Sequence, residues 1–348
     1  MPTAIRFSGA MALFLTTFVS VSAFGQTANP LPSPGSAVTL AAVAVTGVLP
    51  GPALWKVSKD GHVMWVLGTT SPLPKGMQWE SSKVEHLIAS SQQVLKPPGV
   101  QIEGNIGFWG QMSLIPSMIG VEKLPDGKTL QQVLPPDLYS RWLVQQNKYL
   151  RHSWGVDRLR PMFAGEKLYS AALSQSGLTD HRMVEKAIYA AAGRYKVSVT
   201  GTSYVLMLDD PRRTVKQFKQ AMINDQQCLS GILDVIDQDF LQATERANAW
   251  ATGDISALKR ILSASQQDEC LSAVGDTGFA KTIGITDIPH RIQQAWIKAA
   301  EVALAHNPQS VALLPMREVT ADVGYLEMLQ KDGYTVESPE PLAEASTD

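Results

Sequence analysis

Short apolar runs alternate with longer stretches of helical period along most of this chain, and that alternation limits the fold more than any other feature. Leu54-Trp55-Lys56-Val57 and Val63-Met64-Trp65-Val66-Leu67 flank Lys59-Asp60-Gly61, and Asp-Gly between two such runs is the strongest short hairpin signal. A β-hairpin is therefore expected to open the folded body. Val84, Leu87, Ile88 and Ser91 follow at helical spacing, and Gln93-Val94-Leu95 reads as the next strand.

Helices are expected from Leu138 to Tyr149, from Met162 to Leu173 and from Met183 to Tyr195, with a buried strand over Lys196 to Thr200. Between Pro211 and Trp250, the residues Val215, Phe218, Met222, Leu229, Ile232, Leu233, Ile236, Phe240 and Leu241 recur at three and four, predicting one or two long helices. Asp254 to Leu262 and Ile288 to Ala305 read as helices. Ser310 to Leu314 reads as a strand, Ala321 to Leu329 as a helix, and Tyr334 to Val336 as a last extended run. The sum is an α/β fold: a largely parallel central sheet with an opening β-hairpin, flanking helices, right-handed crossovers and a helical insertion at about 211–305.

The ends read differently. Arg6 precedes an apolar run from Phe7 to Val21, followed by Ser22-Ala23-Phe24-Gly25, so residues 1–25 are expected to be a signal peptide cleaved after Ala23 or Gly25. Ser and Thr interrupt the run and leave it short of the ~20 apolar residues of a membrane anchor. Residues 26–52 are rich in Pro and Ala and form an irregular lead-in to a domain over 53–337; 338–348 is an acidic tail. A periplasmic or secreted protein is expected, with no stable membrane span after signal cleavage.

A 45% hydrophobic, 18% charged chain can bury a large core and is not of the disordered class. The formal charge of -2 argues against nucleic acid as a partner. The two cysteines, Cys228 and Cys270, would both reach an oxidising compartment, so a structural disulfide between them is the economical expectation.

Motifs that carry a mechanism are missing: no His-Glu-x-x-His, no Gly-x-Ser-x-Gly, no Walker loop, no Gly-x-Gly-x-x-Gly. The six histidines are scattered singly and read as surface or capping residues. Arg151, Arg158, Arg160, Lys148 and Lys167, with Trp154, make a locally basic segment that reads as a solvated helix face, or else as a site for an anionic ligand or polysaccharide. Trp55, Trp65 and Trp79 could stack on a sugar ring, though core packing is the commoner use of such residues.

Pro52-Ala53-Leu54-Trp55-Lys56-Val57, a turn, and Val66-Leu67-Gly68-Thr69 together resemble the opening of the TraB/GumN family, which is related to Tiki-type metalloproteases. The resemblance continues through Leu159-Arg160-Pro161-Met162, the region from Val197 to Thr202, Asn248-Ala249-Trp250-Ala251 and the last strand-helix-strand from Ala312 to Val336. It implies the family fold and, in members thought to be active, a metal site made by two Gly-x-x-His motifs and glutamates after the central strands. Here Gly68-Thr69-Thr70-Ser71 has Ser71 in place of the first histidine, Lys96 stands where a glutamate is expected, and Gly201 replaces a further glutamate. Pro315-Met316-Arg317-Glu318 replaces the second Gly-x-x-His.

Serine and lysine are poor metal ligands, so neither metal nor other cofactor is expected. An ion pair between Lys96 and Glu318 could replace the lost charge balance. The leading reading is a non-catalytic binding or accessory module of the cell envelope, with an envelope protein or a glycan as partner. Two alternatives stand beside it: a metal-dependent hydrolase with relocated ligands drawn from Glu318, His86 or His62, and, on the family name alone, an accessory of exopolysaccharide production.

Overall fold

The computed structural model describes residues 51–104, 114, 116–151, 153–179, 182–220, 225–261 and 287–339. The expected signal peptide, most of the lead-in, Cys270 and residues 340–348 of the tail lie outside the described residues.

The strands are β1 (Leu54–Lys59), β2 (His62–Thr69), β3 (Leu73–Pro74), β4 (Gln93–Leu95), β5 (Val100–Gly104), β6 (Leu178–Thr179), β7 (Ser198–Thr200), β8 (Tyr204–Leu208), β9 (Gln309–Pro315) and β10 (Thr335–Glu337). The helices are α1 (Ser82–Ala89), α2 (Leu130–Val133), α3 (Pro136–Tyr149), α4 (Pro161–Gln175), α5 (Arg182–Tyr195), α6 (Pro211–Gln220), α7 (Gln226–Asp234), α8 (Ala243–Thr252), α9 (Ile255–Ile261), α10 (Ile288–His306), α11 (Met316–Thr320) and α12 (Tyr325–Lys331).

The central sheet runs β10-β1-β2-β9-β4-β7. β2, β9, β4 and β7 are mutually parallel, and β1 pairs antiparallel with both β2 and β10. The opening hairpin closes where expected, because Asp60 (φ 52°) and Gly61 (φ 84°) both take the left-handed conformation that a two-residue hairpin turn demands. The middle of β9, Ser310 to Leu314, is wholly buried, as a central parallel strand covered on both faces must be. Helices pack in linked pairs around the sheet: α10 meets α12 through Trp296 and Tyr325, ring centroids 5.3 Å apart, and α1 is tied to α5 by Arg194–Glu85 at 2.6 Å.

A second core is purely helical. Trp142, Leu168, Leu229, Leu233 and Ile236 join α3, α4 and α7. Gly165 permits the closest approach: a Cβ there would stand 2.7 Å from Ile232 Cδ1. The expected insertion at about 211–305 therefore divides between two cores. Its first part belongs to the helical cluster with α3 and α4, whereas Trp250, Leu258, Trp296 and Leu304 complete the core around the sheet. The one or two long helices expected over 211–250 are instead α6, α7 with a π turn at Val235–Asp239, and α8.

The locally basic segment expected to be a solvated helix face, or else an anionic-ligand site, is not one surface. Arg160 is 2% exposed and spends its guanidinium on the carbonyls of Phe218 (2.7 Å) and Lys219 (3.0 Å), closing the last turn of α6. The first-loop tryptophans are core residues: Trp55 is buried, Trp65 and Trp79 pack against the core, and Trp79 lies 5.3 Å from Trp250. The short parallel ribbon β5–β8 was not foreseen from the sequence.

Candidate functional site

Parallel neighbours share a direction, so β2, β9, β4 and β7 all end on one edge of the sheet. In open α/β sheets this carboxyl edge is the usual place for a ligand. Every altered position singled out in the sequence falls there. Gly68 and Thr69 close β2 and Ser71 follows; Lys96 follows β4; Gly201 follows β7; Arg317 and Glu318 lie in α11, which starts directly after β9.

The loop after β2 is held from below by one helix. Trp250, on α8, donates its indole N–H to the Gly68 carbonyl at 2.7 Å, and Arg246, one turn earlier, donates to the Pro72 carbonyl at 3.3 Å. Both side chains are within 1% of complete burial. Thr69 donates its hydroxyl to the Leu314 carbonyl at 3.3 Å, fastening the end of β2 to β9. Met316 covers the end of β2: a Cβ on Gly68 would lie 2.6 Å from Met316 Cε and 2.8 Å from Sδ. The Thr70 hydroxyl is buried with no hydrogen-bond partner among the described residues.

On the other side, the Lys96 backbone N–H donates to the Thr200 carbonyl at 3.0 Å, and the carbonyls of Lys96 and Pro97 accept the Thr202 hydroxyl at 3.0 and 2.9 Å. These bonds join the ends of β4 and β7. The Lys96 ammonium stands 5.6 Å from the centre of the Tyr189 ring. Burial, helped by the neighbouring Glu185 carboxylate, pushes the Tyr189 phenol well above its ordinary value, so it stays protonated. Around Gly201 there is open space, since a Cβ there meets nothing within 4 Å. The glycine is not enforced by crowding, and a larger side chain would fit.

The expected Lys96–Glu318 ion pair does not form. Glu318 instead accepts from its neighbour Arg317, Nε to Oε1 3.1 Å, with the two side chains 28% and 25% exposed for Arg317 and Glu318. An adjacent cation satisfies the carboxylate locally, and Lys96 turns to an aromatic face.

The model of the TraB/PrgY/gumN family matches residues 53–338, most of the chain. The chain belongs to the TraB/PrgY/gumN family. No curated protein and no solved structure matches it.

The metal site that the resemblance implies for active members of the TraB/PrgY/gumN family can be set against this geometry. Its positions supply a hydroxyl (Ser71), an ammonium (Lys96), no side chain (Gly201), a guanidinium (Arg317) and one carboxylate, Glu318, which Arg317 already neutralises. Among the described residues no three His, Cys, Asp or Glu side chains group closely enough to hold a metal ion. A divalent cation needs several anionic or neutral donors converging on it, and the net positive charge that Lys96 leaves on this edge repels it. The residues present do not fit the metal.

The relocated trio of Glu318, His86 and His62 is not brought together either. His62 begins β2, seven residues back from Thr69 and so ~23 Å away at ~3.3 Å per residue, and its Nδ1 contacts the Asn307 carbonyl at 2.8 Å. His86 is exposed in the last turn of α1, which feeds the opposite end of β4.

Sequence reasoning missed the groups that shape this edge: Arg246, Met316 and Tyr189. The i, i+4 spacing of Arg246 and Trp250 was available as a signal of two side chains on one helix face. A basic residue at such a position is normally read as solvent-facing, which hid its burial.

Proposed function

We propose that this chain is an extracytoplasmic member of the TraB/PrgY/gumN family whose metal site has degenerated, and that it serves as a binding or accessory module instead of a metallohydrolase. The observation that carries the reading is the Arg317–Glu318 pair at 3.1 Å, which takes up the one carboxylate at the altered strand ends while Lys96 adds a second cation to the same edge. An envelope protein or a glycan is the partner class. Cleavage after Ala23 or Gly25 would release a chain beginning at Phe24 or Gln26. In an oxidising compartment Cys228 and Cys270 would close a disulfide; Cys228 is buried in α7, and no described cysteine is free.

The test is elemental analysis of the mature protein, purified without chelator or affinity metal. Protein without bound transition metal is expected, together with retention of a specific envelope partner in a pull-down. Near-stoichiometric zinc or manganese, with turnover abolished by chelator, would overturn the reading. Mass spectrometry of the secreted chain checks the cleavage, and an intact N-terminus in the cytoplasmic fraction would remove the assigned location.

A further inference from the structure

Helix α6 carries Arg212, Arg213, Lys216 and Lys219 and no acidic residue in its ten positions, in a protein whose formal charge is -2. Its inner side is anchored. Pro211 is buried, and Phe218 meets Phe163 edge-on, centroids 6.5 Å apart, under the Arg160 guanidinium, 4.8 Å from the ring centre. The cations line the outer side: Arg212, Arg213 and Lys216 are exposed and Lys219 half-buried. Among the described residues, Arg213, Lys216 and Lys219 form no ion pair with a carboxylate. The nearest acids in sequence, Asp209 and Asp210, precede the helix, and Asp210 is occupied in capping it, its carboxylate accepting the Arg213 backbone N–H at 3.0 Å.

Exposed apolar side chains flank this helix at both ends. Val205 (41% exposed) and Met207 (54%) lie on β8, which feeds α6. At the other end Lys219 Nζ donates to the Ile119 carbonyl at 2.7 Å, which places α6 against Met118 (48%) and Ile119 (73%). A lone exposed aliphatic needs no explanation, but four bordering one basic helix have a common use. Cations on the outer side of an amphipathic helix draw it to an anionic bilayer surface, and neighbouring aliphatic side chains enter the headgroup boundary. A soluble polyanion would engage the same cations and leave those side chains in water, so the observations favour the bilayer.

We propose that α6, with Met118, Ile119, Val205 and Met207, docks this protein peripherally on an anionic phospholipid surface. The inference rests on this surface alone and is independent of the reading of the strand-end site. The experiment is cosedimentation of the full chain with vesicles of phosphatidylglycerol and phosphatidylcholine, against phosphatidylcholine alone, at low and high salt. The quantity read is the excess of anionic over neutral binding, compared between variants that all carry the same Arg6-bearing leader, so that the difference between them reports α6 and its neighbours.

The expected result is an excess that falls with salt and that the triple change Arg213→Gln, Lys216→Gln, Lys219→Gln weakens by about a hundredfold, roughly fivefold per cation. The same number of charges removed elsewhere, by Lys83→Gln, Lys186→Gln, Lys298→Gln, should leave it unchanged. Met118→Ser and Ile119→Ser, which keep every charge, should weaken it further. Circular dichroism confirms that each variant is folded, and if the triple variant unfolds, the serine pair carries the test. Equal binding to both vesicles, an unaltered triple variant, or binding to a soluble polyanion such as heparin without binding to vesicles would each overturn the proposal.

Discussion

At the scale of single residues, the end of β2 depends on Gly68 having no side chain. Met316 fills the space a Cβ would need, at 2.6 Å, and Trp250 holds the Gly68 carbonyl from the other side at 2.7 Å. Gly68→Ala is expected to cost about 1–3 kcal/mol through overpacking, and Met316→Ala about 2–5 kcal/mol through the cavity it leaves. Because the two residues touch, the double variant should cost less than the sum, by about 1 kcal/mol or more. Urea denaturation of the four proteins measures this, and strict additivity would show that the thioether does not pack on Gly68. Trp250 and Arg246 act in the same region through backbone carbonyls, so they set where the loop lies without contributing a reacting group.

At the scale of elements, the helical half is joined by two buried ionisable side chains that leave no signature in the sequence. Asp225, 2% exposed, accepts the Met162 backbone N–H at 3.0 Å at the start of α4, while Arg160 closes the end of α6. Three helix ends meet on these two side chains. Burial raises the Asp225 carboxyl above its ordinary 3.8, outweighing the Met162 bond and the Arg160 charge. A raised carboxyl pKa means that folding favours the protonated form. Its contribution to stability is complete below the unfolded value of about 3.9 and is lost as pH rises through the higher folded value. Asp225→Asn keeps an acceptor for Met162 and cannot ionise, so its stability relative to the parent should improve as pH climbs through that window. Urea unfolding across a pH series checks it; a constant offset at every pH would mean that Asp225 does not titrate in this range.

At the scale of the whole molecule, two large cores share one chain, a sheet core completed by α8, α9 and α10 and a helical core built on α3, α4 and α7, with a small cluster of Leu173, Leu178 and Ala243 beside them. Cys228 is buried in α7, and the proposed bridge to Cys270 would close a long loop and add about 4 kcal/mol in the loop-entropy account. Thiol titration of the denatured, unreduced protein should find no thiol, and reduction should lower the urea midpoint. Two titratable thiols would refute the bridge.

The sequence by itself determined the hairpin, the order along the chain of the six strands of the central sheet, and the family. Those features are local: Asp60-Gly61 forces its turn, and the periods of two and 3.6 separate strands from helices wherever one face is buried. It also named the positions that meet at the carboxyl edge, Gly68, Ser71, Lys96, Gly201, Arg317 and Glu318, because strand ends can be counted along the chain. Only the tertiary structure decided who partners whom. Lys96 faces Tyr189 and Glu318 takes Arg317, a choice among cations made by reach and burial, which no spacing encodes. The burial of Arg160, Arg246 and Asp225 was likewise settled by packing. A charged side chain enters an interior only where carbonyls, N–H groups or an opposite charge from distant segments compensate it, and those segments converge only in the fold.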